Sequence, residues 1–236
     1  MTTYTRHELK QDKLVNAAQH GVSWMDEHRG RVVAAVIALV VLAGIIIGGV
    51  VWQQSRTEKA ANAFGAALSS YAAPIRPAGT PPDATLESYG STQERAKAAN
   101  AAFVNIAQKY PYTSDGNNAE YYAGVTFAEL GQNADAEAAF KKTVSRGSTG
   151  LSALAKLALA SLYHSTNRDP QAIATLQDLI AHPTSTVPAN LAQLQLASLY
   201  QAAGNTAEAR KIWAQIKDAD KTGAAGQIAT QQLGGK

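Results

Sequence analysis

One nine-residue stretch occurs three times in this chain without gaps. The copies are 123–131 (AGVTFAELG), 159–167 (LASLYHSTN) and 196–204 (LASLYQAAG). Each is followed five residues later by an alanine, Ala136, Ala172 or Ala209, and four residues after that by a large apolar residue, Phe140, Leu176 or Trp213. The alanines stand 36 and 37 residues apart. Self-similarity at such a period constrains the fold strongly. Each unit is one supersecondary element that cannot bury its apolar face alone, so the copies must stack.

Each position in the stretch has a mechanical reason. Gly124, Ala160 and Ala197 are small, which lets the two helices of one unit cross closely. Phe127, Tyr163 and Tyr200 follow three residues later and fill the same seam. Gly131, Asn167 and Gly204 suit a left-handed helix end. Ala136, Ala172 and Ala209 open the contact face of the second helix, and Phe140, Leu176 and Trp213 continue it one turn on. This pattern resembles the tetratricopeptide repeat, whose unit is about 34 residues long. The extra residues here fall in inter-repeat turns such as 146–150 and 182–188. The resemblance covers roughly 95–219 and implies an all-α, solenoid-like domain.

A fourth unit is split. Ala99, Phe103, Ile106 and Pro111 match a second helix and its exit turn, while Phe64, Gly65 and Leu68 have the spacing of a first helix. Between them lies 73–91, with Pro74, Pro77, Pro81 and Pro82, which is expected to be a mobile surface loop. A last helix over 226–233 is expected to cap the array, with Gln227, Gln231 and Gln232 outward and Ile228 and Leu233 inward.

The second constraint is a run of 21 residues, 32–52, without a charge. As a helix it is about 31 Å long, matching the hydrocarbon core of a bilayer. It is too long for the apolar core of a cleaved signal peptide, and no small-x-small site follows it. It reads as an uncleaved single transmembrane helix. Arg29 and Arg31 on one side nearly balance Arg56 and Lys59 on the other, but Arg6, Lys10 and Lys13 add cationic weight to the N-terminal side. The expected arrangement is a cytoplasmic arm (1–31), a membrane helix (32–52) and a repeat domain (53–236) outside the cytoplasm. In the arm, Leu14, Ala18, Val22 and Met25 recur at helical spacing within 8–28. Gly44 and Gly48 form a GxxxG that suits a helix–helix contact, and hence a homodimer.

Composition closes off much chemistry. With 21 Lys+Arg against 18 Asp+Glu, a net charge of +3 gives no basic footprint for nucleic acid. The absence of cysteine excludes a disulfide framework, a thiolate zinc site, a cysteine nucleophile and a lipid-modified cysteine. His7, His20, His28, His164 and His182 form no metal-binding spacing, and no phosphate-cradling loop or nucleophile elbow occurs. Ser161, His164 and Asp169 are close in sequence, but Ser161 aligns with Val125 and Ser198, and His164 with Ala128 and Gln201. These are repeat-surface positions. No enzyme activity, cofactor or small-molecule substrate is expected.

What is left is a surface. In tetratricopeptide proteins the first helices line a concave groove for peptides. By position, the groove here comprises Asn118, Tyr121, Val125 and Glu129, then Leu154, Leu157, Ser161 and His164, then Leu191, Leu194, Ser198 and Gln201. It lacks the Lys/Arg cluster that clamps a peptide carboxylate, so an apolar or extended client is expected. The leucines have an alternative use in packing repeat on repeat. Tyr121, His164 and Gln201 are the expected exposed contacts.

The whole layout, a short arm, one uncleaved membrane helix and a tetratricopeptide-like domain, resembles the ancillary SecYEG translocon subunit family (YfgM-like). That resemblance implies a bacterial inner-membrane protein with a periplasmic domain, partnered by the export channel and a periplasmic chaperone. It implies a non-enzymatic adaptor that binds proteins or emerging secretory chains. The alternative is an envelope-assembly or cell-division scaffold, or a secretion or cofactor-maturation module.

Overall fold

A computed structural model describes residues 28–81 and 85–234. The chain divides into two units, Met1–Ser55 and Arg56–Lys236. The amphipathic helix expected over 8–28 falls, except for His28, outside the described residues.

Helix α1 runs Arg29–Ala72. Its large apolar side chains from Val33 to Trp52 are each more than half exposed. A soluble helix does not show oil on every face. By length and composition it is able to cross a membrane. Gly44 and Gly48 lie open within it: an added Cβ meets nothing at either.

Apart from the segment at 73–91, the described residues of the second unit form a succession of helices. After α1 come α2 (Thr92–Lys109), α3 (Ser114–Glu129), α4 (Asn133–Arg146), α5 (Thr149–Ser165), α6 (Asp169–Ala181), α7 (Ala189–Ala202), α8 (Thr206–Ala219) and α9 (Ala224–Gly234). From α2 onward each helix packs on its neighbours in sequence, and α3 also touches α5, as α7 touches α9. That is the tetratricopeptide-like arrangement of stacked helix pairs.

The three repeat ends behave alike. Gly131, Asn167 and Gly204 have φ of 74°, 59° and 79°, the left-handed conformation that closes α3, α5 and α7. The seams are equally regular. Ala136, Ala172 and Ala209 are at most 1% exposed, and Phe140, Leu176 and Trp213 at most 3%. A Cβ on Gly124 would lie 2.6 Å from Phe140 Cε1, so only glycine permits this crossing.

A second device joins one repeat to the next. Tyr110 ends α2 and Asp220 ends α8, both with φ near −128°. Six residues after each stands a glycine, Gly116 or Gly226, where a Cβ would fall 1.8 or 1.6 Å from that residue's carbonyl oxygen. The next helix therefore starts in direct contact with the previous helix's last carbonyl.

Two buried clusters result. One runs from Ala136 to Ala229; the other joins Ala60 and Ala67 of α1 to Ala99, Phe103 and Ile106 of α2 and Ala119 and Ala123 of α3. Half-buried Phe127 borders both. Phe64 and Leu68 pack on the second cluster as the split repeat requires, but Gly65 does not provide the close approach. Space beside it is open, and Ala60 and Ala67 form the seam instead.

The described residues of 73–91 form no helix, yet the base is stitched down. A parallel bridge pairs Ile75 with Tyr89. Arg76 donates to the Ser88 carbonyl, Ser70 Oγ and Tyr89 Oη donate to Glu87 (2.7 and 2.6 Å), and Arg95 donates to the Ala73 carbonyl (3.3 Å). Hydrogen-bonding side chains beside the prolines thus tie the two ends of this surface segment together.

Helix α9 also corrects an expectation. Ala225 and Ala229 are its buried residues and Leu233 is half-buried, but Ile228 is 43% exposed. Contact at Gly226 fixes the rotation of α9 and turns Ile228 outward.

Candidate functional site

The last two repeats and α9 enclose a cleft of about 500 Å³. Ala160, Ser161 and His164 of α5 form one wall; Leu194, Gln195, Ser198, Leu199 and Ala202 of α7 form another. Leu176 of α6 and Trp213 of α8 make the floor, and Ile228 and Gln232 of α9 close the end. The volume lies in the range of ordinary ligand pockets, about 300–1,000 Å³. Most of the lining is apolar, with hydroxyl, amide and imidazole groups at the edge.

Each feature follows from local sequence. The LASLY stretch on α5 and α7 puts Ser161 and Ser198 at equivalent exposed positions, and small side chains there leave room. The Ser161 hydroxyl donates back to the Leu157 carbonyl at 3.3 Å. His164 Nδ1 lies 2.7 Å from Asp169 Oδ1, the first residue of α6. This pair ties the end of α5 to the start of α6. It is a link between helices in a repeat rather than a nucleophile relay. The Trp213 indole N–H is buried with no acceptor among the described residues. Such a group costs about 1–3 kcal/mol. It is offset by burying the large ring.

The residues expected in the groove divide into three sets. Ser161, His164, Leu194 and Ser198 meet in the cleft. Val125, Leu154, Leu157 and Leu191 are half-buried against the core, the repeat-on-repeat use of the leucines. Asn118, Tyr121 and Glu129 are engaged elsewhere on α3, and Gln201 is exposed outside the cleft lining. Asn118 Nδ2 donates to Asp115 at 3.5 Å. Glu129 accepts from the Tyr71 hydroxyl; burial foremost, and then this bond, raise the Tyr71 pKa.

Tyr121 is not the free contact the sequence suggested. Its ring packs edge-on to Tyr122 at 5.5 Å and tilted against Phe140 at 5.8 Å. Burial pushes its hydroxyl pKa up. The stack continues through Phe103, Phe64 and Tyr71, all drawn to the second cluster. Besides Ala160, Gln195 and Ala202 on the same two walls, the lining includes five residues that the groove reading does not name: Leu176, Leu199, Trp213, Ile228 and Gln232. The first three carry core signals in sequence, and the last two depend on how α9 is rotated.

Charge decorates the rim of the repeats. Glu137 on α4 bonds Lys141 and Arg168, both at 2.7 Å, and Arg168 stacks on the Tyr163 ring at 4.6 Å. Those hydrogen bonds, the one from Lys141 foremost, hold Glu137 below its ordinary range. No cluster of His, Asp and Glu able to hold a metal occurs among the described residues.

Residues 23–183 match the tetratricopeptide repeat-like domain. The chain belongs to that family. A second match, to the tetratricopeptide repeat, covers 191–221. The tetratricopeptide repeat-like match takes in both the apolar run and the insertion at 73–91, which the repeat motif alone does not reach. No curated protein and no solved structure matches the chain. Tetratricopeptide-type repeats are protein–protein interaction modules, and that is the coarse function of this domain.

Proposed function

We propose that this protein is a non-enzymatic, membrane-anchored adaptor. Its repeat domain stands on the non-cytoplasmic side of a bacterial inner membrane. There it binds proteins or emerging secretory chains and assists protein export or periplasmic chaperoning. The observation that carries this reading is the cleft bounded by Ser161, His164, Leu194, Ser198 and Ile228 over Leu176 and Trp213. It accepts an apolar side chain at its floor and main-chain polar groups at its rim. The resemblance in layout to ancillary SecYEG translocon subunits supports the export assignment. Anchoring supports it physically: a tethered domain meets chains at the membrane at raised effective concentration. In this reading Gly44 and Gly48 give a second copy a helix contact face.

The test is in-cell photocrosslinking from Gln195, in the cleft wall, and from Gln201, exposed on the same helix. Export-channel subunits, periplasmic chaperones or many secretory chains are expected from Gln195, and fewer when Ser198→Arg fills the cleft. Recovery of one stoichiometric envelope or division protein overturns the export assignment in favour of a scaffold. Recovery of cytoplasmic proteins alone overturns the orientation.

A further inference from the structure

The turn between α2 and α3 is unusually firm and displays an unusual residue. The Thr113 N–H donates to the Tyr110 carbonyl at 3.1 Å, which makes Pro111 and Tyr112 the two corners. Thr113 Oγ1 donates to the same carbonyl at 2.9 Å and accepts from the Gly116 N–H at 3.0 Å. Gly116 sits against that carbonyl with no room for a Cβ. Proline at the first corner fixes φ. On this rigid support Tyr112 is 82% exposed, the most exposed large apolar side chain in the second unit.

The same turn is fastened to α1. Arg56 Nη2 donates to the Lys109 carbonyl at 2.7 Å. The Arg56 guanidinium stands over the buried Tyr110 ring, 5.8 Å from its centroid, and so does the Lys109 ammonium, at 5.6 Å. Lys59 is exposed one turn further along α1. Glu58 and Asp115 are the carboxylates closest in sequence, so the patch is weakly cationic with tyrosine at its tip.

Covalent reach decides what this patch faces. Arg56 is four residues from Trp52, the end of the uncharged run. Four residues span at most about 14 Å, whatever angle the two units take. The headgroup layer beyond the hydrocarbon core is itself about 5–8 Å thick. A tyrosine flanked by Lys and Arg is the chemistry of that layer: the ring enters the acyl boundary while hydroxyl and cations stay among phosphates.

We infer that the Tyr110–Thr113 turn, led by Tyr112 and flanked by Arg56 and Lys109, is a second membrane contact that seats the repeat domain on the phospholipid headgroups of its own bilayer. The inference rests on α1 crossing that bilayer.

The chain has no cysteine, so single-cysteine variants of the full protein carry one spin label each. Four are reconstituted into nanodiscs of phosphatidylethanolamine and phosphatidylglycerol: Val41→Cys in the apolar run, Ser114→Cys beside the turn, Ser114→Cys combined with Tyr112→Ser, and exposed Gln215→Cys on α8. Accessibility to oxygen against a water-soluble nickel complex reports depth. The Ser114→Cys label is expected between the other two sites, with an oxygen-to-nickel ratio several-fold above that of Gln215→Cys. Adding Tyr112→Ser is expected to return it to the Gln215→Cys value. A Ser114→Cys label as wet as Gln215→Cys, with Val41→Cys immersed, overturns the inference and leaves the membrane helix standing. A Ser114→Cys label shielded from both reagents alike overturns it in favour of a protein contact. A wet Val41→Cys label overturns the membrane helix and this inference with it.

Discussion

The same substitution, glycine to alanine, is expected to have opposite signs at two helical positions of this domain. At Gly124 the new methyl would sit 2.6, 2.7 and 3.1 Å from Cε1, Cδ1 and Cζ of Phe140. Carbon atoms rest at about 3.5–4.0 Å, so the ring must retreat by about 1 Å. It has little room, being 2% exposed with Tyr121 tilted against it. Overpacking of this kind costs about 1–3 kcal/mol. Alanine returns about 1 kcal/mol of helix propensity. The net for Gly124→Ala is a loss of about 1 kcal/mol. Gly65 sits mid-helix with open space at its Cβ, so Gly65→Ala takes only the propensity gain, about 1 kcal/mol. Urea unfolding of the full chain in detergent, followed by far-ultraviolet circular dichroism, measures both as midpoint shifts. In a Phe140→Leu background the ring is gone, and Gly124→Ala is expected to become stabilising. If Gly124→Ala raises the midpoint as Gly65→Ala does, or lowers it equally in both backgrounds, the close-crossing argument is wrong.

Asn167→Ala is expected to cost about 1 kcal/mol, because φ of 59° suits Asn and Gly but strains other side chains; Asn167→Gly is its control in the same urea series. Acid is expected to weaken the domain. Glu137 titrates below its ordinary 4.5, so the stability it contributes is whole above that pH and is lost as pH falls from there through its folded-state value. Asp178, held down chiefly by the hydrogen bond from Lys156, adds a loss of the same sign, and Glu137→Gln is expected to flatten the fall of the urea midpoint as pH drops below 4.5. His164→Ala is expected to shift stability by less than about 0.5 kcal/mol, since the His164–Asp169 pair is only half-buried and partly screened by solvent. A larger loss refutes a surface role for His164. In intact spheroplasts an impermeant maleimide is expected to label Ser145→Cys and spare Gln11→Cys; the reverse refutes the proposed orientation.

Much of the fold is legible in the chain because repetition states one rule three times. The αL ends at Gly131, Asn167 and Gly204 and the seam alanines lie at the positions the spacing names. The split repeat was legible in outline, since Phe64 packs on Phe103 and Tyr122 and Leu68 on the same cluster. The choice of Ala60 and Ala67 over Gly65 as the close contact was not, because α1 meets α2 across an insertion that breaks the repeat register. The groove was legible as a set of helix faces but not as a cavity. Which of those residues stay open depends on partners from elsewhere: the aromatic stack draws in Tyr121, and a hydroxyl 58 positions away engages Glu129.

The end of the cleft depends on one glycine at the far end of the array. The Gly223 and Gly226 amides donate to the Asp220 carboxylate at 2.9 and 3.3 Å, and Gly226 touches the Asp220 carbonyl. This contact sets which residues of α9 face the core. Successive residues turn by about 100°, so with Ala225 and Ala229 inward, Ile228 must project toward the cleft. A Cβ at residue 226, placed 1.6 Å from a backbone oxygen, forces the chain apart there. Helix α9 has little to resist this, since its buried side chains are two alanines. Gly226→Ala is therefore expected to free α9 while α3–α8 hold, seen as faster amide hydrogen exchange confined to 224–234. Crosslinking from Gln195 is expected to fall with it, and Ile228→Ala is expected to lower crosslinking without changing exchange. Unchanged exchange in Gly226→Ala refutes the contact as the determinant of α9. Faster exchange with full crosslinking refutes α9 as a wall of the binding cleft, and leaves Leu194, Ser198 and Trp213 to carry the interaction.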